Sequence, residues 1–386
     1  MTAVADRRPA DGAAELAAVR DLARSFFTDV VMPHEERFEA QGFPDRQMYR
    51  RAGELGLLCM SVPSKYGGGG GSFAHEAVLF EEQSRAGESA MQLGVHTGIV
   101  PHYVLHYGSP EQRAGWLPQL ASGERVGAIA MTEPGAGSDL KALRTRAVRD
   151  GDEYVLTGSK TFISNGLLCD LLIVAASTDP ALGAHGISLF VLELDPEPSG
   201  FRRGRALPKI GQKGQDTAEL FFDGVRVPAA NLLGGVEGRG FVQLMQQLPH
   251  ERLIVACAAI GMMEAALART VEWTKQREMF GGRLFDLQAV RHTLADVATT
   301  VTVARAFVDD CVARHLRGEL DVTTAAMAKL WMSEQQCRVV DTCLQLYGGY
   351  GYTTEVPIAR MFLDSRVQKI YAGANEVMKD LVARSL

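Results

Sequence analysis

The sequence predicts an α+β multidomain protein: an N-terminal helical domain, a middle antiparallel β-barrel or sandwich domain, and a C-terminal four-helix-bundle domain. Three observations predict it. Apolar residues recur at helical spacing near the start, as at Leu16, Val19, Leu22, Ala23 and Phe26. From about residue 125 to 232 the pattern becomes short apolar or β-branched runs bounded by Gly, Pro, Asn and Asp. From about 238 onward, long stretches with few helix breakers return. The expected domains are residues 1–124, 125–233 and 234–386, with 1–14 as a disordered tail. A chain of 386 residues is long for one domain, in keeping with this division.

In the first block, Gly67–Gly71 punctuates two helices and reads as a flexible connection. It lacks the Lys-Ser/Thr that would follow in a P-loop. In the second block the expected strands are Val126–Met131, Tyr154–Thr157, Leu171–Ala175, Ile187–Leu194 and Ala218–Phe222. No helix-length segment separates them, which favours antiparallel pairing, and Gly151-Asp152 is placed to turn a hairpin. In the third block Ile254–Lys275, Leu287–Arg317 and Ala325–Leu346 read as long helices of an antiparallel bundle.

Composition narrows the function. Charged residues make up 22% and apolar residues 46%, ordinary for a globular protein. A net charge of −6 argues against a nucleic-acid surface. No uninterrupted apolar run reaches the ~18 residues of a membrane span. The N-terminus has no apolar segment of the secretory type. Cys59, Cys169, Cys257, Cys311, Cys337 and Cys343 form no C-x-x-C and read as reduced thiols in a cytoplasmic protein. Two glycine-rich segments, Pro134–Ser138 and Gly234–Gly240, do not open the helix of a βαβ unit, so nicotinamide binding is not supported.

Four segments carry a resemblance. Ala130-Met-Thr-Glu-Pro-Gly-Ala-Gly-Ser-Asp-Leu-Lys-Ala142 and Gln345-Leu-Tyr-Gly-Gly-Tyr-Gly-Tyr-Thr-Thr-Glu-Val-Pro-Ile-Ala-Arg360, running on to Asp364, resemble the signature patterns of the acyl-CoA dehydrogenase family. Lys160-Thr-Phe-Ile-Ser-Asn-Gly166 and Arg277-Glu-Met-Phe-Gly281 resemble two further flavin-contacting segments of that family, in the same order and spacing. The family's three-domain build agrees with the block order read from periodicity.

The resemblance implies FAD. By matching position, Met131 and Thr132 lie against the isoalloxazine, and Gly137 and Ser138 lie near the pyrophosphate. Phe162 stands where the family usually has Trp, and Ser164 where it has a Thr near the reactive N5. Arg277, Phe280 and Gln288, with Gln345 and Gly349, match residues that reach the adenosine half of FAD from a neighbouring subunit. A homotetramer, built as a dimer of dimers, is therefore expected. Ala374 replaces a Thr often found beside the flavin, and Glu376 points toward the adenosine side.

The family's reaction removes the α-proton of an acyl thioester and passes hydride from Cβ to flavin N5. It needs a carboxylate base and hydrogen bonds to the thioester oxygen. In Tyr371-Ala-Gly-Ala-Asn-Glu-Val-Met-Lys379 the expected carboxylate after the tyrosine is missing: position 372 is alanine. The backbone N–H of Ala372 can still serve the thioester oxygen, with Tyr371, Gly373, Ser138 and Arg252 around the substrate. Glu251, in Leu248-Pro-His-Glu-Arg-Leu253, is the candidate base, because a long-chain and isovaleryl-type branch carries it there. Read on helix periodicity alone, Glu251 and Arg252 would be a solvated surface pair. Burial against ligand should raise the Glu251 pKa. Glu376, four residues past Ala372, is the decoy.

Other clusters are set aside. His96, His102 and His106 include an i, i+4 pair of metal-ligand spacing, but no acidic pattern completes it, and no metal is expected. Glu81-Glu82 and Asp309-Asp310 read as solvated helix faces, and Met131, Met262 and Met263 as core or acyl-pocket lining. The expected activity is FAD-dependent α,β-dehydrogenation of acyl-CoA, with electrons leaving to an electron-transfer flavoprotein. The rival substrate is an acyl group on an acyl- or peptidyl-carrier protein. Rival chemistries on the same fold are a flavin oxidase or monooxygenase, and a non-catalytic, DNA-associated relative.

Overall fold

The computed structural model describes residues 12–386. Helices α1 (Ala13–Ser25), α2 (Glu35–Gln41), α3 (Arg46–Glu54), α4 (Phe73–Ala86), α5 (Leu93–His96), α6 (Val100–Tyr107) and α7 (Pro110–Ala121) come first. The expected tail largely lies outside the described residues, but Ala13 and Ala14 already belong to α1. Leu16 packs against Ala74 and Val78 of α4, which gives this end an anchor.

The Gly67–Gly71 run is not a loose connection. Gly69, Gly70 and Gly71 donate to the carbonyls of Cys59, Val62 and Met60 at 3.2, 2.9 and 2.8 Å. A Cβ at Gly68 would stand 2.7 Å from the Cys59 carbonyl oxygen. The glycines are there for close backbone approach.

The middle of the chain is a seven-stranded sheet: β1 (Gly127–Ala130), β2 (Arg146–Asp150), β3 (Glu153–Ser164), β4 (Leu171–Ser177), β5 (Ile187–Glu193), β6 (Phe201–Ala206) and β7 (Thr217–Pro228). The order is β1-β4-β2-β3-β7-β6, with β5 also on β4. Most pairs are antiparallel, and the Gly151-Asp152 turn joins β2 to β3 with Asp150 opposite Glu153. Two pairs depart from expectation: β2 meets β4 in parallel at Arg146 and Ser177, and β1 runs parallel to β4, Gly127 opposite Leu171. The crossover between them is the β2–β3 hairpin instead of a helix. Strands β2 and β6 went unread because each buries a single residue, Ala147 and Phe201, amid arginines. Strand β4 is buried on both faces. Leu172 and Val174 join the core within the sheet, while Leu171 and Ile173 pack with Val100 and Tyr103 of α6 and Leu117 of α7.

Helices α8 (Gly240–Gln276), α9 (Gln288–Leu316), α10 (Val322–Gln345), α11 (Pro357–Ser365) and α12 (Asn375–Ala383) complete the chain. A short hairpin, β8 (Glu278–Met279) and β9 (Gly282–Arg283), follows α8. Helix α8 begins 14 residues before the expected Ile254 and runs through Pro249, which leaves the Met245 carbonyl without its helical donor. It is apolar enough over 18 residues to cross a membrane, but 72% of that window is buried inside the protein, as in a core helix. The first and last helical blocks share one core, in which Phe26 and Phe80 meet Ile260, Met263, Val308 and Ile358.

The acidic pairs proved structural. Glu81, Glu82 and Asp309 are buried; only Asp310 is exposed. Arg305 reaches Glu81 at 2.8 Å, Glu264 at 2.9 Å and Asp309 at 3.3 Å. Arg20 and Arg24 reach Glu82 at 2.9 and 3.1 Å. Burial opposes the charge on Arg305, yet Glu81 and Glu264 outweigh it and hold the guanidinium firmly protonated. Met262 and Met263 are core residues.

Gly261 sets the approach of α8 to α4, because a Cβ there would fall on the Glu81 carbonyl oxygen. Gly261→Ala should destabilise the protein by about 1–3 kcal/mol. Gly115→Ala, at an exposed site in α7 where a Cβ meets nothing, should stabilise it by about 0.5–1 kcal/mol. Denaturant melts of the two variants will show whether the signs are opposite.

Candidate active site

Glu251 sits on α8 where that helix passes α6. Only 4% of its surface is exposed, and Tyr103 of α6 donates its hydroxyl to Glu251 Oε1 at 2.8 Å. Burial raises the carboxyl to about 7, although the Tyr103 hydrogen bond and the charge of Arg252 pull it back. No cation bonds the carboxylate directly among the described residues. The surface pair with Arg252 does not form. Arg252 is itself 4% exposed, and its Nε and Nη1 have no partner among the described residues. Burial lowers its pKa too. Two buried, opposite, unbonded charges on consecutive residues leave hydrogen-bond capacity for a ligand.

The loop after Tyr371 is held in an unusual conformation. Ala372 has φ 52° and Gly373 φ 96°. The left-handed region costs an alanine about 1–2 kcal/mol. The wholly buried Lys329 compensates, donating to the Gly373 carbonyl at 2.6 Å and to Asn375 Oδ1 at 2.9 Å. Asn375 donates in turn to Ser333 Oγ at 3.0 Å and Glu334 at 3.1 Å. Burial pushes Lys329 down to about 8, and the charge of Arg252 adds to this. The Tyr371 hydroxyl bonds the Gln212 side chain, while the Gln212 N–H donates to Asp364. The Ala372 N–H has no hydrogen-bond acceptor among the described residues and is free for one.

A third group lies on the rim of the sheet. The Met131 carbonyl accepts from Lys160 Nζ at 3.1 Å, and the Thr132 carbonyl accepts from the Thr161 N–H at 3.0 Å. Glu133 and Ala136 exchange backbone hydrogen bonds of 2.9 and 3.1 Å, closing the turn before Gly137 and Ser138. No atom lies within 4 Å of where a Cβ would stand on Gly135 or Gly137. Phe162 occupies a bulge of β3 at φ 58° with 67% of its surface exposed. Ser164 Oγ accepts from Gln215 at 2.9 Å. A strained, exposed aromatic beside an open glycine turn is what a planar ligand would cover.

Arg277, Phe280, Gln288, Gln345 and Gly349 are exposed at another end of the molecule, and Phe280 is 89% exposed at φ 51°. Arg277 lies 5.5 Å over the Tyr350 ring, and Trp273 stacks on Tyr347. None of the five bonds the rim residues among the described residues. Ala374 gives α12 no side-chain cap, and Glu376 is exposed in its first turn.

The three histidines set aside from sequence have separate partners. His96 Nδ1 accepts the Gly127 N–H at 3.0 Å, and His106 Nδ1 bonds the His102 carbonyl at 2.7 Å. His102 faces Glu76 and His250 instead. Tyr103, Lys329 and Gln212 were not singled out from sequence. Tyr103 is 148 residues from Glu251, and no local pattern marks such a contact.

Known proteins resemble this chain along nearly its whole length. The family models for the acyl-CoA dehydrogenase N-terminal, middle and C-terminal domains match residues 13–124, 128–225 and 238–386. The chain is 46% identical over 369 residues to the long-chain specific acyl-CoA dehydrogenase of Sus scrofa mitochondria, covering 95% of this chain and 85% of that one. An acyl-CoA dehydrogenase from Geobacillus kaustophilus superposes with a TM-score of 0.94 at 45% identity, covering 99% of both chains. A glutaryl-CoA dehydrogenase from Mycobacterium smegmatis in complex with FADH2 superposes with a TM-score of 0.89 at 26% identity, covering 96% of this chain and 94% of that one.

In protein dialysed free of divalent ions, the Glu251 carboxyl should titrate near 7, read by infrared difference spectra against Glu251→Gln. Its folded value lies above its unfolded one, so the stability it contributes is present at low pH and is lost as pH rises through about 7. Tyr103→Phe removes a donor that favours the carboxylate and should move this titration up by about one unit. A downward shift would mean that the hydroxyl does not stabilise the charge.

Proposed function

This chain belongs to the acyl-CoA dehydrogenase family, in its long-chain and isovaleryl-type branch, and from that premise we propose that Glu251 is its catalytic base. The protein is an acyl-CoA dehydrogenase, an oxidoreductase acting on a CH–CH bond. The observation that carries the assignment is the buried Glu251 carboxylate, raised to about 7 and held by Tyr103, in a chain whose Ala372 loop lacks a carboxylate. A base tuned near neutrality is ionised enough to act and basic enough to accept a proton.

Glu251 takes the pro-leaving proton from Cα of the acyl thioester. The Tyr103 hydroxyl holds the carboxylate in place and leaves its second oxygen for that proton. The Ala372 N–H, unbonded and fixed by the Lys329–Gly373 contact, receives the charge that grows on the thioester oxygen. Tyr371 and Gly373 shape the same loop, Arg252 offers unbonded donors to the thioester or its pantetheine arm, and Ser138 borders the entrance. Lys329 is committed to Gly373 and Asn375, and no lysine or arginine bonds the Glu251 carboxylate among the described residues.

The cofactor in this reading is FAD, which when bound supplies the acceptor for the hydride leaving Cβ. Met131, Thr132, Gly137, Ser138, Phe162 and Ser164 would hold its ring and pyrophosphate, and Ala374 and Glu376 would border it. The open glycine turn and the exposed Phe162 support that fit. Arg277, Phe280, Gln288, Gln345 and Gly349 would serve the adenosine half in a neighbouring subunit of a homotetramer, and their exposure within one chain supports this. Electrons would leave to an electron-transfer flavoprotein in fatty acid metabolism. Six unpaired cysteines support a reducing compartment, the cytoplasm.

The test is anaerobic bleaching of the flavin's visible band by saturated acyl-CoAs of increasing chain length. The wild type should bleach fast with one length class. Glu251→Gln should retain FAD and bleach roughly 10²–10⁴ times more slowly. Bleaching of Glu251→Gln at the wild-type rate would place the base elsewhere. FAD-loaded wild type that bleaches with no acyl-CoA would remove CoA thioesters as the substrate.

A further inference from the structure

One buried cluster plays no part in that chemistry. Glu76 of α4, His102 of α6 and His250 of α8 each offer a ligand atom, and the three atoms lie within 4.8 Å of one another. We propose that Glu76, His102 and His250 form a three-ligand binding site for a divalent transition-metal ion of the zinc class.

The geometry is that of a contracted coordination shell. Glu76 Oε2 and His102 Nε2 are 3.2 Å apart. In a tetrahedron with metal bonds of about 2.0 Å, donors stand roughly 3.3 Å apart. A set of imidazoles with one carboxylate suits zinc better than calcium or magnesium, which prefer all-oxygen shells.

Outer contacts orient the donors as metal sites require. His250 Nε2 meets the Gly98 carbonyl at 2.8 Å. A carbonyl can only accept, so the hydrogen-bond network assigns the ring proton to Nε2 and makes Nδ1 an acceptor, which takes the His315 Nε2 proton here and can take a metal instead. The Ser61 hydroxyl donates to Glu76 Oε1 at 2.7 Å, which leaves Oε2 directed at His102. Phe73 presses its ring against His250 and His315, with centroids 5.0 and 4.7 Å away.

Charge points the same way. Glu76 is wholly buried, and no Lys or Arg pairs with it among the described residues. Its neighbours are a hydroxyl, the Ser61 amide and imidazoles. A buried carboxylate calls for a cation. The remaining titratable neighbour is His106, stacked on His102 and committed to its carbonyl.

The site adjoins the base without including it. His102 precedes Tyr103 and His250 precedes Glu251, so one α6–α8 contact carries the histidine pair, with ring centroids 4.2 Å apart, and the next carries the base pair. A bound dication would tie α4, α6 and α8 together there.

The measurement is zinc content and affinity of the holoenzyme, independent of turnover. Protein stripped with chelator, reloaded with zinc chloride and gel-filtered should carry about one zinc per chain. His102→Ala should carry less than about a tenth of that, and Ser61→Ala should bind roughly 10–100 times more weakly in competition with a chromophoric chelator. Wild type that keeps no zinc would overturn the proposal. So would zinc retained in His102→Ala, which would place the metal on surface histidines. If His102→Ala does not fold, Ser61→Ala decides: an unchanged affinity overturns the site.

Discussion

The approach of α4 to α8 is the constraint on which the rest depends. Gly261 lets the two backbones meet at the Glu81 carbonyl. That proximity puts carboxylates of α4 and α8 in one dry space, and Arg305 from α9 makes the arrangement tolerable by neutralising Glu81 and Glu264 together. Without Arg305, Glu81 and Glu264 would keep only Arg20 and Arg85 among the described residues, at 3.3 and 2.5 Å. The same two helices, further along, bring Glu76 beside His250, and α6 then adds His102 and Tyr103. Glu251 is buried where α8 passes α6 within this packing.

Around the base, polar groups are divided between those that are spent and those that are kept free. Lys329 is committed to the Gly373 carbonyl and Asn375, so it fixes a loop without quenching Glu251. Arg252 is uncommitted at Nε and Nη1. Ala372 is held in a conformation costly to any residue with a side chain, and its N–H is left unbonded as a result. Such outliers persist only where the surroundings over-determine them.

Block order was legible because it rests on periodicity, which local sequence carries. The candidate base was nameable for the same reason, since Ala372 and Glu251 sit in recognisable text. What was illegible depended on distant contacts. Glu81-Glu82 looks the same in sequence whether water or Arg305 faces it. Strands β2 and β6 bury one residue each, so no apolar run announced them. Five successive glycines say that backbone comes close, but not to what; here it is residues 59–62. The i, i+4 spacing of His102 and His106 drew attention to a helix face, whereas the partners of His102 lie on α4 and α8.

The single core shared by the first and last helical blocks also bears on how the chain is made. Phe26, Phe80 and their neighbours are covered by residues from 253 to 361. The sheet between them has an interior core of its own and can close first. At a synthesis rate of about 5–20 residues per second, the N-terminal helices wait roughly 10–45 s on the ribosome with their apolar faces uncovered. For that interval the nascent chain is a client for chaperones, and its most aggregation-prone surface is the one that later becomes the best buried.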